Sequence, residues 1–201
     1  MPSVLGTNVL AEVAGAVTDF FEKLSGQDGT MWLNAFKRFL RRENPWPTFL
    51  VWRTIRIGAH KNLRAFNKML SRFKMSSWAK DILDKPVFTL TQTEEWIPLC
   101  VATVKELTGK NEATTAEIFD VIKRVGEFCP AEVGPALREQ YLDQPNGEWL
   151  RIAMEPITDS DGNPGVFDVD CDSDGLWLGA DSASPGDVWD GNDRFVFRAR
   201  K

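Results

Sequence analysis

The tightest constraint on this chain is its tail, Val166–Lys201, which reads VFDVDCDSDGLWLGADSASPGDVWDGNDRFVFRARK. Bulky apolar residues recur in it as fixed points: Phe167, Val169, Leu176, Trp177, Leu178, Trp189, Phe195, Val196 and Phe197. Between them stand almost only Asp, Ser, Gly, Ala and Asn. Apolar anchors at short strand-like spacing, separated by turn residues, describe strands whose one face is buried and whose other positions stay small and polar. The pattern predicts strands at Gly165–Val169, Leu176–Leu178 and Arg194–Arg200. It reads as a binding face on a rigid support.

Upstream, EWLRIAMEPI (Glu148–Ile157) alternates as a strand, between turns at Asp143–Gly147 and Thr158–Gly165. Thr114, with Glu117 three residues on, forms a capping box that opens a helix running to Val125. Cys129-Pro130 breaks the chain before a second helix, Ala131–Leu142. Val87–Leu107 ends rich in strand formers, with Trp96, Ile97, Leu99, Val101 and Val104 reading as a buried strand or strand pair. The resulting order, β-α-α-β-β-β, predicts an α+β domain over residues 86–201.

The first part of the chain reads as a mainly helical module. Val4–Leu24 and Thr30–Glu43 carry apolar stripes at helical spacing, and Asn44-Pro45-Trp46-Pro47 stops the second. Phe49–Gly58 leans to strand, Lys61–Phe73 to helix, and Ser76/Ser77 cap a short helix, Trp78–Leu83. Lys85-Pro86 reads as the module boundary. Residues 1–85 hold 14 Lys/Arg against 7 Asp/Glu, and residues 86–201 hold 10 against 22. So uneven a division predicts an anionic partner, nucleic acid or a membrane surface, for the basic module. Its bland counterpart is a solvated helix face, since no base-reading motif accompanies the charge.

Several classes of function are excluded or weakened. The single histidine, His60, leaves no second one for a His-based metal site. Three cysteines, Cys100, Cys129 and Cys171, do not make a disulfide framework and fit reduced thiols. Glu94, Glu95 and the acidic tail supply carboxylates, but no spacing selects an acid–base pair, and no catalytic residue is expected. No run reaches the length of a membrane span, and the N-terminal stretch carries Glu12 inside its apolar run, so a cytoplasmic location is expected, with export by another route left open. No cofactor is expected. Calcium is the one candidate: Asp170, Asp172, Asp174 and, twelfth, Asp181 match the ligand spacing of an EF-hand loop. The strands predicted around it do not suit that motif.

Residues 86–201 resemble C-type-lectin-like domains, which run strand, two helices, then a long strand-and-loop region, with a terminal strand that pairs with the first. The run CPAEVGPALREQYLDQPNGEWLRIAMEPITDSDG (Cys129–Gly162) is similar to uncharacterised proteins of small-genome bacteria, whose tails keep GLWL, Trp and RFVF elements. Here those are Gly175–Leu178, Trp189 and Arg194–Phe197. The tail resembles the variable region of diversity-generating-retroelement target proteins, in which adenine-directed mutagenesis varies the 3′ end of the gene. The small polar residues here fit that chemistry, although tyrosine, usual in such regions, is absent from the tail. The resemblance implies a non-enzymatic binder of an unidentified protein or surface ligand. Its contact residues would be Asp170, Cys171, Asp172, Ser173, Gly179, Ala180, Asp181, Ser182, Ser184, Asp187, Asp190, Asn192 and Asp193. Trp177, Trp189, Phe195 and Phe197 would be buried supports. The alternative is a calcium-binding or nucleic-acid-binding regulatory protein that uses the basic N-terminal helices.

Overall fold

The computed structural model describes residues 7–26, 29–42 and 49–200. The Asn44–Pro47 stop and the first residues of the first predicted helix lie outside these. Two compact units divide the chain, residues 1–48 and 49–201. The first contributes the helices α1 (Thr7–Ser25) and α2 (Gly29–Leu40). The second begins with β1 (Arg53–Ile57), α3 (Leu63–Leu70), β2 (Lys74–Met75) and α4 (Ser77–Leu83). It continues with β3 (Glu95–Thr103), α5 (Val104–Thr108), β4 (Glu112–Thr114), α6 (Thr115–Val125), β5 (Gly126–Glu127) and α7 (Val133–Gln140). Then come β6 (Trp149–Ile152), β7 (Ile157–Thr158), β8 (Pro164–Asp172), β9 (Gly175–Ser182), β10 (Val188–Asp190) and β11 (Arg194–Ala199). The architecture is mixed α+β, with seven helices among the described residues.

One large sheet runs in the order β1-β3-β11-β6-β8-β9-β2, with β5 and β7 as short additions, while β10 pairs with β4 separately. The terminal strand β11 lies antiparallel to β3, Val196 against Val101, and parallel to β6, Val196 against Ile152. Its apolar centre, Phe195, Val196 and Phe197, is fully buried. Behind the sheet, α7 approaches β8 so closely that a Cβ on Gly134 would sit 2.5 Å from Phe167 Cβ. The exposed edge of β1 is closed by a side chain: Gln140 accepts from the Arg56 N–H at 2.9 Å and donates to its carbonyl at 2.8 Å. Such capping protects an edge from pairing with another chain.

The expected boundary at 85/86 falls inside the second unit. Residues 49–85 belong there because their apolar side chains complete its core: Ile55, Phe66 and Ile82 are wholly buried, and β1 pairs with β3. Buried Glu132 fastens this segment, accepting from the Gly58 N–H at 2.9 Å and the Thr91 N–H at 2.6 Å. The basic surplus is also relocated. Residues 1–48 hold five Lys/Arg against five Asp/Glu, and residues 49–85 hold nine against two. Three of those cations meet the acidic remainder of their own unit: Arg53 with Asp143 at 3.2 Å, Arg56 with Glu94 at 3.3 Å, and Lys74 with Asp174 at 3.7 Å. His60 joins Glu139 at 3.0 Å. The strand read at the end of Val87–Leu107 is a single one, Glu95–Thr103; Val104 falls beyond it and Trp96 is exposed on it. Thr103 and Glu106 form a second capping box that turns the chain into α5.

Taken by itself, the first unit is a helical hairpin. Phe20 rests on Phe36 with ring centroids 4.9 Å apart, and Lys23 Nζ stands 4.9 Å over the Trp32 ring. Among its described side chains only Ala35 is buried. No helix among the described residues is long and apolar enough to cross a membrane.

Candidate binding surface

Directly paired residues of antiparallel strands share a face, so the registers of β6, β8 and β9 define two rows across the sheet. Trp149, Asp170 and Trp177 make one; Arg151, Asp168 and Gly179 make the next. Asp181, two residues along β9, continues the same face. Arg151 is its hub. Its Nε meets Asp181 at 2.9 Å and its Nη1 meets Asp193 at 2.8 Å. Its guanidinium lies 4.7 Å from the Trp149 ring centre and 5.2 Å from that of Trp189. The loop before β11 is thereby clamped onto the sheet. Beside it opens a cleft of about 500 Å³, lined by Asn146, Glu148, Trp149, Asn192, Asp193 and Arg194 among others. Glu148 is held there by the Tyr141 hydroxyl at 2.7 Å and by Arg194 at 2.5 Å. Burial, reinforced by that acceptor, pushes the Tyr141 phenol up to about 12.

A buried arginine supports the face from behind. Arg138 is wholly buried. It donates to the Asp170 carbonyl at 3.1 Å, the Trp177 carbonyl at 3.4 Å and Gln144 Oε1 at 2.5 Å, and also to the Tyr141 carbonyl. Gln144 in turn donates to the Val169 carbonyl at 3.0 Å. These bonds fix β8 and β9 from below through their backbone, independently of the side chains above. Burial lowers the pKa of Arg138.

Asp168 is the anomaly of the face. It is 1% exposed, and no donor reaches either carboxylate oxygen in hydrogen-bonding geometry. Its oxygen occupies the space in which a Gly179 side chain would begin, a Cβ there lying 2.4 Å away. Burial pushes its pKa well above the ordinary value, and the nearby Asp181 and Asp170 add to this. Arg151 opposes the shift but is committed to Asp181 and Asp193, and Trp149 tempers it without a hydrogen bond of normal geometry. Burial, then the Asp172 charge, also raises Asp170.

The residues expected to make contacts divide accordingly. Asp170, Gly179, Asp181 and Asp193 come together around Arg151 and the tryptophans. Asp172 and Ser173 sit exposed at the tip of the β8–β9 hairpin, where Asp172 accepts from Trp177 Nε1 at 3.1 Å. Asp190 and Asn192 are exposed on the turn before β11, Asn192 donating to Asp190 from backbone and side chain. Ser182, Ser184 and Asp187 are tied to one another, Asp187 accepting from Ser182 at 2.5 Å and from the Ser184 N–H at 2.9 Å. Cys171 and Ala180 belong to the opposite face: each is one residue out of phase with the rows above, and Ala180 pairs with Phe167 and packs on the core. Of the four expected supports, Trp189, Phe195 and Phe197 are buried. Trp177 is only partly buried and lies on the outer face beside Lys74, whose ammonium is 5.1 Å from its ring centre.

The EF-hand spacing ends in a β-hairpin instead of a helix–loop–helix. Asp170, Asp172, Asp174 and Asp181 are strung along two strands and their connecting turn, and among the described residues no group of three or more His, Cys, Asp or Glu side chains converges as a metal site would. Sequence reasoning missed Trp149, Arg151, Asp168, Arg138 and Gln144. For two of them a signal existed: Arg151 stands between Leu150 and Ile152, and Asp168 between Phe167 and Val169, polar residues where one face of a strand must look outward. No protein family model, curated protein or solved structure matches this chain.

Proposed function

We propose that this chain is a non-enzymatic binding protein whose outer sheet face and adjoining loops form a diversified contact surface, on a scaffold of C-type-lectin-like type. The observation that carries this reading is a separation of roles. Side chains on the outer rows are backed by Arg138 and Gln144, which hold the strands by backbone carbonyls alone. A side chain at the hairpin tip or on the 190–192 turn can change with no loss of core contact. A rigid support with exchangeable positions is what a binder drawn from a varied repertoire requires. The pairing of β11 with β3 agrees with the lectin-like closure.

In the present variant the surface is rich in carboxylates, so cationic or hydrogen-bond-donating surfaces are its preferred ligands. Preference for acidic targets in a binding panel would count against this. The gene tests the larger reading. Its 3′ end, sequenced deeply in a population of source cells, should vary at adenine-derived codons of Asp170, Asp172, Ser173, Asp181, Asp190, Asn192 and Asp193, with a near-copy template in the neighbourhood. One invariant sequence with no template copy overturns it.

A further inference from the structure

We infer that the helical hairpin is a self-association element, and that two copies of this chain pair through it as a four-helix bundle. Two helices of this length cannot bury enough apolar surface to be stable by themselves, and here only Ala35 among the described side chains is buried. What they leave open is patterned. On α1, Val13, Val17 and Phe21 recur every four residues. On α2, Leu33, Phe36 and Leu40 recur at three and four, Phe36 being shared with Phe20 of the same hairpin. All six are exposed, Phe21 by 61% and Leu40 by 63%. That spacing gives one continuous stripe per helix, the pattern that packs helix on helix in antiparallel bundles.

Charge indicates which occupant fits. Residues 1–48 are neutral, so the hairpin has no net attraction for an anionic membrane or nucleic acid. The signs are instead sorted by helix. On α1 Glu22 is exposed while Asp19 is paired with Lys23, leaving the helix net acidic, and on α2 Lys37 and Arg38 are exposed. A two-fold axis that lays α1 of one copy along α2 of the other brings apolar stripe to apolar stripe and acidic helix to basic helix, twice. No unrelated partner is needed to satisfy both patterns. Pairing would also give the binder of the preceding section two contact faces per particle, and hence avidity, but the association stands independently of that reading.

The test is the mass in solution of the full chain, by sedimentation velocity and light scattering over a wide concentration range. The expected result is a dimer that dissociates reversibly on dilution. Val17→Glu combined with Phe21→Glu should give a monomer. Leu33→Glu combined with Leu40→Glu, on the other helix, should do the same, each with the near-UV circular dichroism of the sheet unit unchanged. A wild-type monomer at every concentration overturns the inference, whether the hairpin then proves to pellet with anionic vesicles or to cover its own chain. A dimer that survives both double substitutions also overturns it.

Discussion

Replacing Asp168 by Asn gives the sharpest physical test of the outer face. In the unfolded chain this carboxyl titrates near 3.9. In the folded chain burial, with Asp181 and Asp170 behind it, raises its pKa well above that. A raised acid binds its proton more tightly when folded. Unfolding stability therefore falls as pH rises from the unfolded value toward the folded one, and is level above it. The slope within that window is about 1.4 kcal/mol per pH unit. From about pH 4 to pH 7 the cost of Asp168 is thus bounded at about 4 kcal/mol. Asn has the shape of the protonated acid and never ionises. Its own unpaired polar atoms take back about 1 kcal/mol. The expected outcome is a variant more stable than wild type at pH 7, by at most about 3 kcal/mol, and equal to it or slightly weaker near pH 4. Urea unfolding followed by tryptophan fluorescence across that pH range measures both. A difference that does not change with pH, or a variant weaker at pH 7, would refute the reasoning.

Three other substitutions or additions follow from the same geometry. Glu132→Ala strands the N–H groups of Gly58 and Thr91 in the interior, and should cost about 3–5 kcal/mol in urea unfolding; a loss under 1 kcal/mol would mean water replaces the carboxylate. Gly179→Ala should destabilise, because its Cβ meets Asp168, and Asp168→Gly should relieve that cost, giving a coupling of about 1–2 kcal/mol in a double-mutant cycle; strict additivity would show that Asp168 simply moves aside. Titration of calcium into the full chain at millimolar metal should give no heat beyond dilution, since the four aspartates of the EF-hand spacing are strung along two strands and a turn; a saturable isotherm would show that they can be gathered.

What could be read from the sequence was local. The capping box at Thr114 and Glu117 and the N-cap at Ser76 appear as read, because each is settled within four residues. The box at Thr103 obeys the same rule, but the apolar run through Val104 disguised it as more strand. Longer-range relations misled. Charge summed along the chain marked residues 1–85 as basic and the rest as acidic, yet Arg53 and Asp143 are neighbours across 90 positions. A sum along the sequence cannot see that part of the excess of one segment is paired with another. Arg138 was invisible for a similar reason: on a helix it reads as a surface cation, and only the fold shows the carbonyls it serves.

The outer face also limits its own freedom, in a way no list of small polar residues reveals. Asp181 and Asp193 are both spent on Arg151, which sits only 11% exposed against Trp149 and Trp189. Removing either acid leaves a largely buried guanidinium with half its partners, a cost of some kcal/mol. Asp168 and Gly179 compete for one volume, so a side chain at 179 demands a smaller residue at 168. Asp172, Ser173, Asp190 and Asn192 carry no such obligation: their hydrogen bonds close local turns or reach one neighbouring indole. Variation at equal mutation rates should therefore survive folding most often at the hairpin tip and the 190–192 turn, and least often, or only in matched pairs, at 168, 179, 181 and 193. A repertoire of this protein filtered for folded copies would show that ordering, and a flat distribution over all these positions would mean that Arg151 is not the clamp its geometry makes it.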